Sequence, residues 1–229
     1  DARSRLDNGC LPVTIHAHGV MGGQIEMAGD TSSQYFTAML MIGPVVENGI
    51  TIDVLGDLVS KPYLDLTIAT MRDFAANVES SGYERFHVPG KQTYAPRTYA
   101  IEPDASAASY FFALAAVSGG RVRVLNLGKG SVQGDLEFVS VLERMGCTVR
   151  VHDNWTEVRG PEELGGIDVD MNAISDTMPT LAAIAPLAAD PVTIRNVEHI
   201  RHKETDRITA VVNELQRLGV DVEERRDGI

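Results

Sequence analysis

Residues 201–207 read Arg-His-Lys-Glu-Thr-Asp-Arg, so cations, carboxylates and an imidazole are concentrated directly before a predicted helix. The positive end of a helix dipole opposes each cation there by roughly 0.3 kcal/mol or more. Lys203 and Arg207 therefore predict an anion-binding site, which free N–H groups of the helix would complete. The alternative is a solvated surface cluster in which Glu204 and Asp206 neutralise the cations. The spacing alone leaves both interpretations open.

A metal site is the other chemistry to consider, since His199, His202 and Glu204 are close in sequence. Zinc needs a fourth ligand and hydrogen-bonded neighbours that orient its ligands. The adjacent cations would also repel a metal ion electrostatically. We therefore predict no metal in this segment.

Short polar motifs recur at equivalent points along the chain, before helices and after strands. Hydroxyl and carboxylate residues before a helix are first of all N-caps. That explanation is weaker for Gln34, Tyr63 and Lys203, whose side chains cap nothing. The motifs therefore suggest a binding site as well, and they are Thr31-Ser32-Ser33-Gln34, Ser60-Lys61-Pro62-Tyr63, Asp104-Ala105-Ser106, Gln133-Gly134-Asp135, Ser175-Asp176-Thr177 and Lys203 to Arg207.

A repeat of roughly 70 residues must position these motifs. Each copy reads as helix, strand, loop, helix and strand, and the central strands are predicted to begin near Ile50, Val122 and Val192. The first helix of each copy consists mainly of small apolar residues on all sides. This composition predicts that these helices are the most buried elements. They are predicted at 35–45, 107–118 and 177–188.

The third copy gives the clearest pattern. Its second helix, 205–218, is predicted to end at Gly219 and to be followed by a strand at 220–224. The apolar face of that helix consists of Ile208, Val211, Val212, Leu215 and Leu218. Hairpin-like strands between the copies are predicted at 85–90, 98–103 and 156–160.

The composition limits the classes of function. The 229 residues are 44% hydrophobic and 23% charged, as in an ordinary globular protein. A net charge of −12 argues against a nucleic-acid surface, and no apolar run reaches the roughly 18 residues of a membrane span. Cys10 and Cys147 are too few for a disulfide framework, which predicts a cytoplasmic protein.

Five motifs, taken together and in order, carry a resemblance to a known family. They are Thr31 to Tyr35, Leu58 to Tyr63, Asp104 to Phe111, Gln133 to Asp135 and Lys203 to Arg207. Each is weak alone, but in this order they resemble the 5-enolpyruvylshikimate-3-phosphate synthases, the glyphosate-sensitive transferases of the shikimate pathway in aromatic amino acid biosynthesis. The resemblance runs from about Gly22 to the end and spans roughly half of a family member. The chain also begins without Met, so we expect a fragment of a longer protein.

The resemblance implies an α/β (α+β) fold of the enolpyruvate-transferase type, with repeated βαβαββ units and two incomplete domains. Residues 1–103 would be the later part of the N-terminal-type domain, and residues 104–229 the earlier part of the second domain. The active site would lie in the cleft between them. The resemblance implies no cofactor and no metal, and a monomer when full length.

The implied reaction transfers the enolpyruvyl group of phosphoenolpyruvate to the 5-hydroxyl of shikimate 3-phosphate. It needs a base for the hydroxyl proton and an acid for the enol methylene. By resemblance, Asp176 matches the proton acceptor and Glu204 its acid/base partner. The positions that match substrate-binding residues are Ser32, Ser33, Gln34, Ser60, Tyr63 and Lys203 for shikimate 3-phosphate, and Gln34 and Arg207 for phosphoenolpyruvate.

Two departures from the family pattern are visible. His199 stands where many members have Asn, so it is expected to bind substrate with a pH dependence near neutrality. Other basic ligands of the family, including an N-terminal lysine and several arginines, lie outside this chain, so the resemblance implies that the fragment alone would bind phosphoenolpyruvate poorly and leaves its activity open. Two alternatives are a non-catalytic fragment that binds shikimate 3-phosphate and a sister UDP-N-acetylglucosamine enolpyruvyl transferase.

Overall fold

A computed structural model describes residues 1–229 as strands and helices joined by short 3-10 turns. The strands are β1 (Ala2–Ser4), β2 (Val13–Ile15), β3 (Gly23–Ala28), β4 (Ile50–Leu55), β5 (Glu79–Ser81), β6 (Arg85–Val88), β7 (Arg121–Leu125), β8 (Thr148–Val151), β9 (Trp155–Arg159), β10 (Ile167–Asp170) and β11 (Val192–Arg195). The helices are α1 (Ser33–Ile42), α2 (Lys61–Asp73), α3 (Ala105–Ser118), α4 (Phe138–Arg144), α5 (Met178–Ile184) and α6 (Arg207–Arg217).

The first repeat is one complete βαβαββ unit. Parallel strands β3 and β4 are connected through α1, α2 follows, and the antiparallel β5–β6 hairpin completes a sheet of order β3-β4-β6-β5. Ile50 and Ile52 of β4 point into the core, as the two-residue period of a strand requires.

The second and third repeats are shorter versions of the same unit. In the second, α3, β7, α4 and the β8–β9 hairpin form a sheet of order β7-β9-β8. In the third, parallel strands β10 and β11 are joined through α5, and α6 follows. The central strands begin at Ile50, Arg121 and Val192, which confirms the repeat period.

Two separate hydrophobic cores result. The first contains 13 buried residues between Phe36 and Val88, and the second contains 30 between Ala105 and Ile229. We call the parts around them the first lobe (residues 23–88) and the second lobe (residues 105–229). The segment 89–104 connects them without helix or strand.

Two predicted strands are wrong. Residues 98–103 and 220–224 form no strand, because neither segment pairs with a β-ladder. Helix α6 does end at the predicted glycine: Leu218 is its C-cap, and Gly219 adopts the left-handed conformation with φ of 81°.

The burial of the first helices is only partly as predicted. Phe36 and Leu40 of α1 are fully buried, whereas Tyr35, Met41 and Ile42 are exposed. Helix α3 likewise exposes Tyr110, Phe111 and Leu114. Each core covers one face of its helix, and no element of residues 1–229 covers the other face.

Candidate active site

Arg207 holds two carboxylates together beside a pocket of about 340 Å³. Its Nε and Nη2 donate to the two oxygens of Glu204 at 2.8 and 3.0 Å, and its Nη1 donates to Oδ1 of Asp176 at 2.8 Å. All three side chains line the pocket, together with Ser106 and Tyr110. The predicted catalytic pair therefore meets at one guanidinium.

Helix starts position Arg207 and Asp176, and Glu204 lies in the bend just before α6. Arg207 is the first residue of α6, whose N-cap is Asp206: Oδ1 of Asp206 accepts the Thr209 N–H at 3.1 Å. Asp176 lies in the 3-10 turn Asn172–Thr177, immediately before α5. Its carboxylate does not cap α5, which has no side-chain cap, and faces Arg207 instead. The N-cap explanation for Asp176 is therefore wrong.

The ion pair between Glu204 and Arg207 determines the protonation state of Glu204. Arg207 lowers the pKa of the Glu204 carboxyl through its hydrogen bonds, and Glu204 in turn raises the pKa of Arg207. Glu204 is therefore ionised at neutral pH in this arrangement. The Glu204 side chain is 66% exposed, so a bound anion could compete with it for Arg207.

Carboxylates inside and outside the basic segment neutralise its two arginines. Arg201 pairs with Asp206 and Glu224, each at 2.8 Å, and Arg207 pairs with Glu204 and Asp176. Carboxylates therefore neutralise both arginines, as the surface-cluster alternative expected, but the two side chains are only 19% and 22% exposed and are not solvated. Lys203 is half-buried and has no carboxylate partner, so it is the one cation of the segment that is free to meet an anion.

A buried hydrogen bond joins the two lobes next to the pocket. Ser60, directly before α2, lies with Oγ 3.1 Å from Nε2 of His199 in the second lobe. Ser60 adopts a left-handed backbone conformation, φ 55° and ψ 41°, which is costly for a residue with a side chain. The hydrogen bond at this strained point ties the two lobes together.

His199 is neutral in the folded protein. Burial, with a smaller contribution from the charge of Lys203, lowers its pKa to about 4. This lowered pKa argues against the expected pH dependence of substrate binding near neutrality, because the imidazole of the ligand-free protein titrates below that range.

Tyr63 makes a second connection between the lobes. Its hydroxyl donates to Oδ1 of Asp135 at 2.8 Å and accepts the backbone N–H of Asp176 at 3.4 Å. Burial raises the pKa of the phenol, and the neighbouring Asp135 and Asp176 carboxylates raise it further. Ser106 donates a short hydrogen bond to the other oxygen of Asp135. The sequence placed Asp135 and Ser106 in two of the recurring motifs but gave neither residue an individual role.

The remaining predicted residues lie apart from this pocket. Ser32 caps α1 by accepting the Gln34 N–H at 3.3 Å, and Ser33 is the first residue of that helix. The Ser33 hydroxyl is buried without a hydrogen-bond partner, whereas the Gln34 side chain is exposed. Ser32, Ser33 and Gln34 therefore form a separate polar group on the first lobe and do not line the Arg207 pocket.

The structure contains no group of three or more His, Cys, Asp or Glu side chains that could hold a metal ion. His199, considered above as a ligand, instead contacts Ser60.

Residues 1–229 match the family described as EPSP synthase (3-phosphoshikimate 1-carboxyvinyltransferase). The chain belongs to the EPSP synthase family. This confirms the resemblance that the five motifs indicated.

Curated members of the EPSP synthase family are similar over nearly the whole chain. The 3-phosphoshikimate 1-carboxyvinyltransferase of Trichormus variabilis is 53% identical over 97% of this chain and 52% of its own length. The protein of the same name from Yersinia pestis is 50% identical over 92% of this chain and 49% of its own length. The chain thus spans about half the length of these relatives.

Solved structures confirm the fold. The structure of EPSP synthase from Acinetobacter baumannii matches this chain with a TM-score of 0.74 at 21% identity. The match covers the whole of this chain and 52% of the Acinetobacter chain. The enolpyruvyl transferase NikO from Streptomyces tendae covers 80% of this chain and 45% of its own, with a TM-score of 0.62 at 20% identity. The expected enolpyruvate-transferase fold is therefore correct.

Proposed function

We propose that the protein to which these residues belong transfers the enolpyruvyl group of phosphoenolpyruvate to the 5-hydroxyl of shikimate 3-phosphate. The observation that carries the proposal is the meeting of Asp176 and Glu204 at Arg207. A base and an acid are needed within reach of one another, and an anionic substrate needs a cation beside them. Membership of the EPSP synthase family supports the same reaction.

Asp176 is the proposed general base. Its side chain is one-third exposed to the pocket, so a substrate hydroxyl can approach it. Arg207 donates to the Asp176 carboxylate, and the Tyr63 hydroxyl accepts the backbone N–H of Asp176, so both contacts hold the residue in place. A positioned base of this kind increases the reaction rate on the order of 10²–10⁴-fold.

Glu204 is the proposed acid/base partner. In the present arrangement Arg207 keeps Glu204 ionised, which is the wrong state for a proton donor. The carboxylate of phosphoenolpyruvate would compete for the same guanidinium, since Arg offers a planar fork that binds carboxylates in a bidentate manner. Binding of that substrate would thereby weaken the Glu204–Arg207 pair and raise the pKa of Glu204 toward its working range.

Shikimate 3-phosphate is the proposed ligand of Ser32, Ser33, Gln34, Ser60, Tyr63, His199 and Lys203. The unpartnered hydroxyl of Ser33 at the start of the ten-residue helix α1 supports an anion there, since helix N-termini present free N–H groups. Lys203 supports a second contact because no carboxylate neutralises it.

The test is turnover by the product of the complete reading frame that contains residues 1–229. Release of inorganic phosphate that requires both phosphoenolpyruvate and shikimate 3-phosphate supports the proposal. Phosphate release with UDP-N-acetylglucosamine instead would favour the sister transferase. Calorimetric binding of shikimate 3-phosphate without any turnover would favour the non-catalytic binding fragment.

We also propose the organisation of the protein. The two hydrophobic cores support a division into 1–103 and 104–229. Both cysteines are free, which suits a reducing cytoplasm. None of the helices is long and apolar enough to cross a bilayer. A monomer is proposed for the full-length protein, and sedimentation of that protein would test it.

A further inference from the structure

The motif Gln133-Gly134-Asp135 lies at a close approach of the two lobes. Gly134 begins the 3-10 turn Gly134–Glu137 between β7 and α4. A Cβ on Gly134 would lie 2.4 Å from Cβ of Pro62 at the start of α2 in the first lobe. Only glycine allows this separation, because contacts under about 3 Å are far inside the van der Waals distance of about 3.5–4.0 Å.

Gln133 fixes the connection between the lobes at the same point. Its Oε1 accepts the Ala105 N–H at 2.8 Å, and its Nε2 donates to Glu102 Oε2 at 2.8 Å and to the Pro103 carbonyl at 2.9 Å. The side chain therefore holds the end of the connecting segment against the start of α3.

Asp135 is the member of the motif that faces the candidate active site. Only 3% of the residue is exposed, and no cation pairs with it. Its two oxygens accept hydrogen bonds from hydroxyls on opposite lobes, Tyr63 of the first and Ser106 of the second. A buried carboxylate is costly unless such donors satisfy it, so the arrangement is specific.

The direction of these hydrogen bonds links Asp135 to Asp176. Since the Tyr63 proton points to Asp135, the lone pairs of the phenol oxygen are available to the backbone N–H of Asp176. A rotated Tyr63 hydroxyl would turn its proton toward that N–H and break the contact. Asp135 therefore determines whether Tyr63 can hold the turn that carries Asp176.

We propose that Asp135 is a positioning residue, which orients the Tyr63 hydroxyl across the interface between the lobes and thereby holds Asp176 in its catalytic position. The catalytic consequence rests on the proposed function. The structural part, protection of the Asp176 N–H by Tyr63 and Asp135, does not.

The test compares three variants in the product of the complete reading frame. Asp135→Ala removes both acceptor oxygens, Asp135→Asn keeps one oxygen that can accept from Tyr63, and Tyr63→Phe removes the linking hydroxyl. Two readouts are measured, the kinetic constants and the hydrogen-exchange rate of the Asp176 amide. The control is Tyr83→Phe, because the Tyr83 hydroxyl also donates to a carboxylate, Asp65, but on the exposed surface of the first lobe.

The expected result for Asp135→Ala is an Asp176 amide that exchanges at least tenfold faster and a kcat that falls at least tenfold, with KM changed less than threefold. Asp135→Asn restores both quantities to within threefold of wild type, and Tyr83→Phe changes neither. Tyr63→Phe accelerates amide exchange in the same way, and it carries the test if Asp135→Ala does not fold.

Unchanged exchange at Asp176 in Tyr63→Phe and Asp135→Ala would overturn the proposal. So would a kcat of Asp135→Ala that equals wild type, with only thermal stability reduced. If the wild-type protein does not turn over these substrates, the proposed function fails, and the exchange rates alone then decide whether Asp135 positions Asp176.

Discussion

Ser60 and His199 are 139 residues apart in sequence, yet their side chains form a 3.1 Å hydrogen bond in which both residues are almost fully buried. The bond crosses from the first lobe to the second, and His199 lies near enough to Asp176 for the charge of that carboxylate to act on it. Burial accounts for the neutral state of His199, because an imidazole enclosed by protein loses the hydration that stabilises its charged form.

His199 should make the folded protein less stable at acidic pH. The imidazole titrates near pH 6.5 in the unfolded chain and at about 4 in the folded one. Between these values the unfolded chain binds more protons, so the free energy of unfolding falls as the pH drops from 6.5 to 4 and then stops changing through this group. Through this group, the free energy of unfolding falls by about 2 kcal/mol between pH 7 and pH 4.5.

Urea unfolding at pH 7 and 4.5 checks this, with His199→Asn as the variant and exposed His202→Asn as the control. Asparagine can still bond Ser60 but does not titrate, so His199→Asn should lose about 2 kcal/mol less than wild type on acidification. An equal loss in wild type and His199→Asn would contradict the burial of a neutral imidazole.

Lys203→Met should weaken binding of shikimate 3-phosphate by at least about 1.5 kcal/mol, the low end for a hydrogen bond to a charged group. The reason is that Lys203 has no internal carboxylate and can give its charge to the ligand. Calorimetry on the complete protein measures the affinity, and Lys129→Met, in an exposed turn of the second lobe, is the control. Unchanged affinity would assign Lys203 to the solvated surface.

Asp206→Ala should destabilise the protein by about 1 kcal/mol more than Asp206→Asn. Both variants lose the charge that pairs with Arg201, but asparagine still accepts the Thr209 N–H at the start of α6. Chemical denaturation of the two variants gives the difference, and Asp221→Ala on the exposed segment after α6 is the control. Equal losses from alanine and asparagine would show that the cap contributes nothing.

Local patterns predicted the elements well where short-range chemistry decides. The apolar period of α6 identified Ile208, Val212 and Leu215, all of which are buried. Leu218 fits the same period but is 79% exposed, because the helix ends there and its last side chain lies outside the core. The strand predicted at 220–224 failed for a related reason, since a strand needs a partner that its own sequence does not encode.

The resemblance selected residues of the candidate site, but it did not predict the contacts between them. The resemblance pointed to Asp176, Glu204 and Arg207. Their ion pairs depend on the start of α6 lying next to the turn before α5. No local spacing in the sequence encodes that contact. The role of Asp135 was missed because it is a contact between lobes. Its only sequence signal was a motif in the second repeat at the position that Ser60 to Tyr63 occupies in the first.

The most direct test of the account is Asp176→Asn in the product of the complete reading frame. The amide keeps the shape of the carboxylate and can still accept a hydrogen bond from Arg207, but it cannot accept a proton from the substrate. Turnover and thermal stability are measured together, so that unfolding is not mistaken for lost catalysis.

If Asp176 is the general base, kcat falls on the order of 10²–10⁴-fold while the protein stays folded at the assay temperature. Glu162→Gln, at an exposed position of the second lobe away from the pocket, should keep wild-type turnover. A kcat for Asp176→Asn within a few-fold of wild type would contradict the assignment and leave Asp176 as the structural partner of Arg207.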